Sequence, residues 1–277
     1  MINTIHTFIH LYPISWIIIF SCYALLVGSV LSMVIYRVPM MLEHEEGRQT
    51  KTHAIFNLFL PRSHCTQCKK TIPFRHNIPL LSYLLLRGRC HYCQHPISWR
   101  YPTVEFLTLI LSLGALYKFG FQIELIWVLP FIWLTICLGF IDLEHQLLPD
   151  SLTLSLLWLG LLANSQSVFC PLPVAVWSAA GAYVSLWLLI KLFYLCTGKI
   201  GMGHGDFKLF AALGAWFGWA ALTTILLMAC ALGTVIGLSY LKWTHQDRNT
   251  PIPFGPYLCI AGMFYVFTSY DLYRIHF

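Results

Sequence analysis

Charge is what this 277-residue chain has least of: 10% of its residues are Asp, Glu, Lys or Arg, and residues 1–36 contain none of the four. A soluble domain carries about 25%, so a water-soluble globule is excluded and a polytopic membrane protein is indicated. The chain also lacks the basic start of a cleaved signal peptide, and the apolar run from Ile14 to Ile35 is too long for one. That run reads as a retained membrane helix. No glycine-rich strand–turn–helix fingerprint is present. Acidic residues number only eleven. Any of them at membrane depth is a functional suspect, because its burial is costly.

The positive charge that exists is concentrated. Residues 37–100 hold ten of the seventeen Lys/Arg and three Glu, so this one segment carries +7 of a net +6. By the positive-inside rule it is expected in the cytoplasm, with both chain termini outside. A helix needs about 20 apolar residues to cross a bilayer. Runs of that kind occur at 14–36, 102–118 and 125–141. Two more lie within the forty uncharged residues 151–190, which Asn164-Ser-Gln-Ser and Cys170-Pro-Leu-Pro173 interrupt, and a last one lies at 250–270. The uncharged run 209–241 would be about 50 Å long as one helix and has cationic flanks at both ends, so it is expected to form two helices turning near Gly214–Gly218. The expected fold is an all-α polytopic membrane protein of about eight transmembrane helices with a small cytoplasmic zinc-binding loop domain. The expected division is residues 1–36, 37–101 and 102–277.

Two aspartates stand out. Asp142 follows an uncharged run in Gly139-Phe-Ile-Asp-Leu-Glu-His, and Asp206 precedes one in Gly201-Met-Gly-His-Gly-Asp-Phe-Lys208. The topology puts both at the cytoplasmic ends of helices, at one depth, although sixty-four residues separate them. Two neighbouring carboxyl groups can share a proton and activate water, which is aspartic-protease chemistry. The plainer readings are a snorkelling carboxylate for Asp142 and a helix N-cap for Asp206. Gly201, Gly203 and Gly205 weaken the second, since a simple cap does not need them. Lys208 is expected to snorkel or to favour ionisation of Asp206. Asp150 reads as an N-cap, Glu144 as an alternative partner of either aspartate, and Glu105 as serving the first turn of its helix or pairing with a loop arginine.

Cys65-Thr-Gln-Cys68 and Cys90-His-Tyr-Cys93 are two CxxC pairs twenty-one residues apart. Four thiolates at this spacing suit a tetrahedral structural zinc, and in a reducing cytoplasm disulfides are the weaker reading. His64 and His91 are alternative ligands, but four cysteines already complete a closed site. Metal binding would supply folding energy to a loop with little core. The remaining six cysteines, Cys22, Cys137, Cys170, Cys196, Cys230 and Cys259, read as small buried apolar residues.

These motifs together resemble the bifunctional type IV prepilin peptidases of bacterial inner membranes, membrane aspartic proteases of the GxGD type. The resemblance spans Gly28-Ser29, Tyr36-Arg-Val-Pro39, the CxxC pairs, Asn77-Ile-Pro79, Leu86-Arg-Gly-Arg-Cys90 and Pro96–Glu105. It continues through Ile141-Asp-Leu-Glu, Leu148-Pro-Asp150, Gly203–Lys208, Ala211–Trp216 and Pro253-Phe-Gly-Pro256. Thr66 departs from the proline usual in the first CxxC. The resemblance implies cleavage of basic leader peptides from type IV prepilins and type II secretion pseudopilins. It also implies N-methylation of the new terminal residue, commonly phenylalanine, with S-adenosylmethionine as donor. It assigns Asp142 and Asp206 as catalytic and associates Gly88 with methylation. Prepilins, pseudopilins and membrane lipid are the implied partners, with no nucleic acid.

Two rival classes fit the sequence less well. A proton-coupled transporter using the aspartates as a relay would place them near mid-bilayer within inverted repeats, which the hydropathy pattern does not show. A scaffold whose zinc module binds a partner would leave Gly201–Lys208 unexplained.

Overall fold

The structure, a computed structural model, describes residues 13–45, 57–58, 60, 62–198, 202–244 and 252–268. Gly201 and the loop cations Arg48, Lys51 and Lys199 lie outside the described residues, as do the ends of the expected last span. The chain separates into two compact units, Met1–Gly120 and Phe121–Phe277.

The first unit is built on α1 (Pro13–Glu45) and α3 (Arg100–Phe119), which pack against each other. Their close approach depends on Gly28: a Cβ there would stand 2.9 Å from Glu105 Cα. α1 continues nine residues past Tyr36, the expected end of the first span, because Pro39 is accommodated inside the helix. Buried Arg37 on that extension donates to the carbonyls of Asn57 (2.9 Å) and Leu58 (3.1 Å), fastening the loop to the helix. Between α1 and α3 lie a 3-10 turn at Phe74–His76 and the five-residue α2 (Leu81–Leu85).

The second unit holds α4 (Ile123–His145), α5 (Asp150–Ser165), α6 (Leu172–Thr197), α7 (His204–Thr244) and α8 (Gly255–Thr268). α7 is not one rod. At Gly218 (φ 75°, ψ −178°) the backbone leaves helical geometry, a conformation open to glycine. With α7 counted as two rods, the described helices other than α2 number eight. The break lies at the end of the expected turn region, but one residue makes it. Among the described residues five helices, α1, α3, α4, α6 and α7, are long and apolar enough to cross a membrane; α5 and α8 are shorter.

Breaking a helix inside an apolar environment strands carbonyl groups that water cannot reach. Asn164 meets this demand. Its amide nitrogen donates to the carbonyls of Ala215 (2.8 Å) and Trp216 (2.9 Å), just before the break. Its oxygen accepts from the amides of Phe169 and Cys170, where α5 gives way to the next loop. In sequence Asn164 looks like a loop marker; in the fold it is a fully buried junction. Beside it, Trp216 Nε1 donates to Leu156 O at 2.8 Å, and the ring of Trp216 packs against Phe131. α6 and α7 meet through small residues, Gly214 lying against the Ser178 carbonyl, as close helix packing without a hydrophobic driving force requires. Outward faces carry Trp177, Leu188, Leu195, Leu227 and Val235. In water such a surface would be an aggregation hazard; in lipid it is the expected one.

Candidate active site and metal centre

In the second unit, Asp142 and Asp206 converge on Leu148: a Cβ built at Gly255 would meet both Asp142 Oδ2 (2.6 Å) and Leu148 (3.2 Å), and one built at Gly205, the neighbour of Asp206, would meet Leu148 at 2.7 Å. Asp142 lies near the C-terminal end of α4, which stops at Gln146 in the left-handed region (φ 52°), with the Gln146 amide donating to Asp142 O at 2.9 Å. Asp206 lies in the first turn of α7. The helix begins at His204, so Asp206 is its third residue and not the N-cap that sequence suggested. Both side chains are buried, at 5% and 7% exposure. Asp142 Oδ2 and Asp206 Oδ1 have no hydrogen-bond partner among the described residues. Buried carboxyl oxygens left without partners are costly, and that cost needs a functional reason.

Two residues that sequence reasoning gave no role shape the site. A Cβ on Gly255 would stand 2.6 Å from Asp142 Oδ2, so only glycine lets the start of α8 close on that carboxylate. Leu148 is wedged between the two halves of the site. Cβ atoms built at Gly205 and Gly255 would approach Leu148 to 2.7 Å and 3.2 Å. Gly205 thus makes room for Leu148, while a Cβ built at Gly203 would have Asp206 Oδ2 at 3.7 Å as its one neighbour within 4 Å among the described residues. The signals were there, in Leu148-Pro-Asp and in a glycine between two prolines, but only as resemblance.

The other acidic residues go elsewhere. Asp150 is the first residue of α5 and makes no side-chain cap; Pro149 occupies the cap position. Its carboxylate takes Lys208, with Nζ 2.5 Å from Oδ1. Lys208 therefore serves Asp150. Glu144 is partly exposed, 4.0 Å from His145 Nε2. In the first unit Glu105 is buried and accepts the amide of Leu80 at 2.8 Å, in place of the expected first-turn or arginine partner.

The first unit also brings four sulfurs together. The ligand atoms of Cys65, Cys68, Cys90 and Cys93 all lie within 4.8 Å of one another, with Cys65 Sγ 3.7 Å from Cys93 Sγ. A disulfide needs about 2.05 Å, whereas sulfurs around tetrahedral zinc stand about 3.8 Å apart, from Zn–S bonds of about 2.3 Å. The two CxxC turns are built alike. Lys69 N donates to Cys65 O and Gln94 N to Cys90 O, each at 3.0 Å, and both donors have positive φ. The Cys68 backbone amide holds the Cys65 thiol down to about 7, while Cys93 is pushed up to about 11, so of these two it is Cys65 that is favoured as the thiolate a metal requires. The donor set fits zinc, which would crosslink the two turns when bound. His64 is turned to Arg62 O, and His91 stacks beside His76, so neither completes the set.

Gly88 stands at φ +67°, and a Cβ there would lie 2.9 Å from the Tyr83 hydroxyl. The space that a side chain at this glycine would need is filled by Tyr83. Of the other cysteines, Cys137 and Cys259 are buried as expected, but Cys22, Cys196 and Cys230 are exposed on outward helix faces. An apolar residue need not be buried by protein where lipid can cover it.

Residues 22–119 match the bacterial peptidase A24 N-terminal domain, and residues 129–238 match the type IV leader peptidase family. Proteins described as prepilin leader peptidase/N-methyltransferase are similar along nearly the whole chain. The one from Legionella pneumophila is 54% identical over 265 residues, covering 92% of each chain. That from Pseudomonas putida is 44% identical over 278 residues, 98% of this chain and 96% of the relative. That from Aeromonas hydrophila is 46% identical over 250 residues, 87% and 86%. No solved structure matches. With family models on both units and relatives of this identity along its length, the chain belongs to the prepilin leader peptidase/N-methyltransferase family of membrane proteins.

Proposed function

We propose that this chain removes the basic leader peptide from type IV prepilins and type II secretion pseudopilins, and then N-methylates the exposed residue, commonly phenylalanine, from S-adenosylmethionine. The observation that carries the proteolytic half is the buried pair Asp142 and Asp206, converging on Leu148, each with an oxygen that no described residue partners. One carboxylate takes a proton from water as the water oxygen bonds to the scissile carbonyl carbon. The protonated partner gives its proton to the carbonyl oxygen. Collapse of the tetrahedral intermediate breaks the C–N bond, and a proton passes to the departing amine. The pair titrates as a unit, so the roles belong to the pair rather than to either residue.

The membrane supplies the logic of placement. A prepilin has a basic leader in the cytoplasm and an apolar segment in the bilayer, so its scissile bond lies at the interface. Asp142 near the end of α4 and Asp206 in the first turn of α7 suit that level. The clustering of Lys/Arg in residues 37–100 supports a bacterial inner-membrane protein with the cysteine loop in the cytoplasm. Residues 37–101 would form the zinc-binding domain associated with methylation, and 102–277 the peptidase core. Methylation rests on the names of the relatives. Helix-end carboxylates and those relatives do not support a transporter relay.

The test is direct. Purified protein in lipid is incubated with a prepilin, and leader loss and terminal methylation are followed by mass spectrometry. Cleavage followed by donor-dependent methylation is expected; an intact prepilin after prolonged incubation with folded enzyme would sink the proposal.

A further inference from the structure

The short helix α2 carries its apolar side outward. Leu81, Leu84 and Leu85, at the i, i+3 and i+4 positions of one face, are 50%, 71% and 72% exposed. The opposite side is the packed one, with Ser82 buried and Tyr83 against Gly88. Trp99, 76% exposed, stands on the Tyr83 side of the helix, its ring 5.6 Å from that of Tyr83. Arg87 and Arg89 follow immediately and are also exposed. An outward leucine face with a cationic border is the composition of a helix lying in a membrane interface.

What fixes the depth of this face is a strained turn. Leu80 has φ 56° and ψ −47°, and the Leu81 amide reaches back to Pro79 O at 2.6 Å, a three-residue γ-turn of the rare, strained kind. The Leu80 amide is caught by Glu105 Oε2 at 2.8 Å. Glu105 is the sixth residue of α3, a membrane-spanning helix that starts at Arg100, so it stands about 7.5 Å along that helix at 1.5 Å per residue. The start of α2 is therefore pinned no farther from the bilayer than the second turn of α3. A leucine face at that level meets headgroups and the upper acyl chains.

We propose that α2 is an interfacial anchor: Leu81, Leu84 and Leu85 enter the leaflet that receives the Arg100 end of α3, and Arg87 and Arg89 meet anionic headgroups. The occupant of the face is the lipid surface. The consequence is that the cysteine module is held against the bilayer rather than hung on a free loop. The inference needs α3 to span the membrane and is independent of the enzymatic reading.

The full chain is reconstituted at one copy per nanodisc, in anionic and in zwitterionic lipid, with 4-trifluoromethylphenylalanine at Leu84 or, separately, at Leu85. Fluorine relaxation is measured with lipids carrying a nitroxide high on the acyl chain and, in other samples, with a water-soluble gadolinium chelate. A label at Gln94, on the exposed second cysteine turn, serves as the aqueous reference, and zinc content reports the fold. The expected result is that labels at Leu84 and Leu85 relax several-fold more with the lipid nitroxide than with the chelate, and that Gln94 shows the reverse. The nitroxide effect should be larger in anionic discs. Labels reached mainly by the chelate would overturn the anchor. Labels shielded from both reagents would also overturn it, because protein would then cover the face. If the substituted chains lose zinc, a nitroxide-to-chelate comparison of backbone amides 84–89 in the unsubstituted protein decides in the same way.

Discussion

Lys208 Nζ lies 2.5 Å from Asp150 Oδ1, tying the first turn of α5 to the start of the second turn of α7, two residues beyond Asp206. The pair spans fifty-eight residues of sequence and flanks the loop that carries Leu148. Its side chains are 30% and 60% exposed, so as an ion pair it contributes only about 0–1 kcal/mol. Its use is in placement. Lys208→Ala and Asp150→Ala are each expected to reduce leader cleavage up to about fivefold, the equivalent of roughly 1 kcal/mol, with normal expression. The charge-reversed double variant, Asp150→Lys with Lys208→Asp, should recover part of the loss. Cleavage kinetics of the four proteins check this; no recovery in the double variant would mean the two residues act separately.

The aspartate pair makes a stronger demand. Asp142→Asn and Asp206→Asn should each lower cleavage by roughly 10²–10⁴-fold, the usual worth of a positioned acid or base, because an amide cannot hold the shared proton. The fold should tolerate both changes, since the partnerless buried oxygens of Asp142 and Asp206 cost less as neutral amides than as carboxylates. Initial rates with a purified prepilin, alongside thermal unfolding in detergent, separate the effects. Near-wild-type rates from either stable variant would remove that residue from the chemistry.

How much of this was legible without coordinates depends on whether a residue's role is local. Asp142, Asp206 and the four cysteines were visible because charge and paired thiols are rare in such a chain, and rarity is a property of sequence. The helix count followed from apolar run lengths, which the bilayer fixes. Tertiary choices were not visible. Lys208 could face Asp206 two residues away or Asp150 fifty-eight away, and only the packing of α5 on α7 decides. Glu105 takes the Leu80 amide because a γ-turn presents it there. Leu148 between Gly205 and Gly255 is one leucine among many until the starts of α7 and α8 converge on its loop.

Asn164 joins the α7 break to the end of α5 and leaves two carbonyls and two amides stranded if removed. Each buried polar group left without a partner costs about 1–3 kcal/mol. Asn164→Leu is therefore expected to destabilise the second unit by several times more than Asn→Leu at a lipid-facing position, seen as a lower unfolding midpoint in detergent. Asn164→Asp should recover little, since a carboxylate cannot donate to Ala215 O and Trp216 O. A midpoint unchanged in Asn164→Leu would mean that these groups find other partners.

The four sulfurs at metal-binding separation should hold about one zinc per chain, as structural zinc sites made of four cysteines do. Joint substitution of Cys65 and Cys68 by serine is expected to abolish it, and strong chelation should leave residues 62–98 open to proteolysis, because metal binding supplies this module's folding energy. Metal analysis of purified protein and limited proteolysis with and without chelator check both. Full zinc occupancy in the double variant would place the ligands elsewhere.

Gly88 is where the two activities should come apart. Its positive φ strains any L-residue by about 1–3 kcal/mol, and a Cβ would also press on the Tyr83 hydroxyl at 2.9 Å. Both effects fall on the turn between α2 and Cys90, in the unit that does not contain Asp142 or Asp206. Gly88→Ser is therefore expected to lower methylation far more than cleavage. Mass spectrometry of the processed pilin reads both at once: leader absent, and the new terminus one methyl group lighter than the wild-type product. Zinc content separates two causes. If Gly88 only serves the fold of the loop, zinc should fall together with methylation, and Tyr83→Phe, which removes the nearest atom, should restore part of both. If the glycine matters to methyl transfer itself, zinc should stay near one per chain while methylation is lost, and Tyr83→Phe should restore nothing. Fully methylated pilin from the Gly88→Ser enzyme would exclude a role for this turn in either sense.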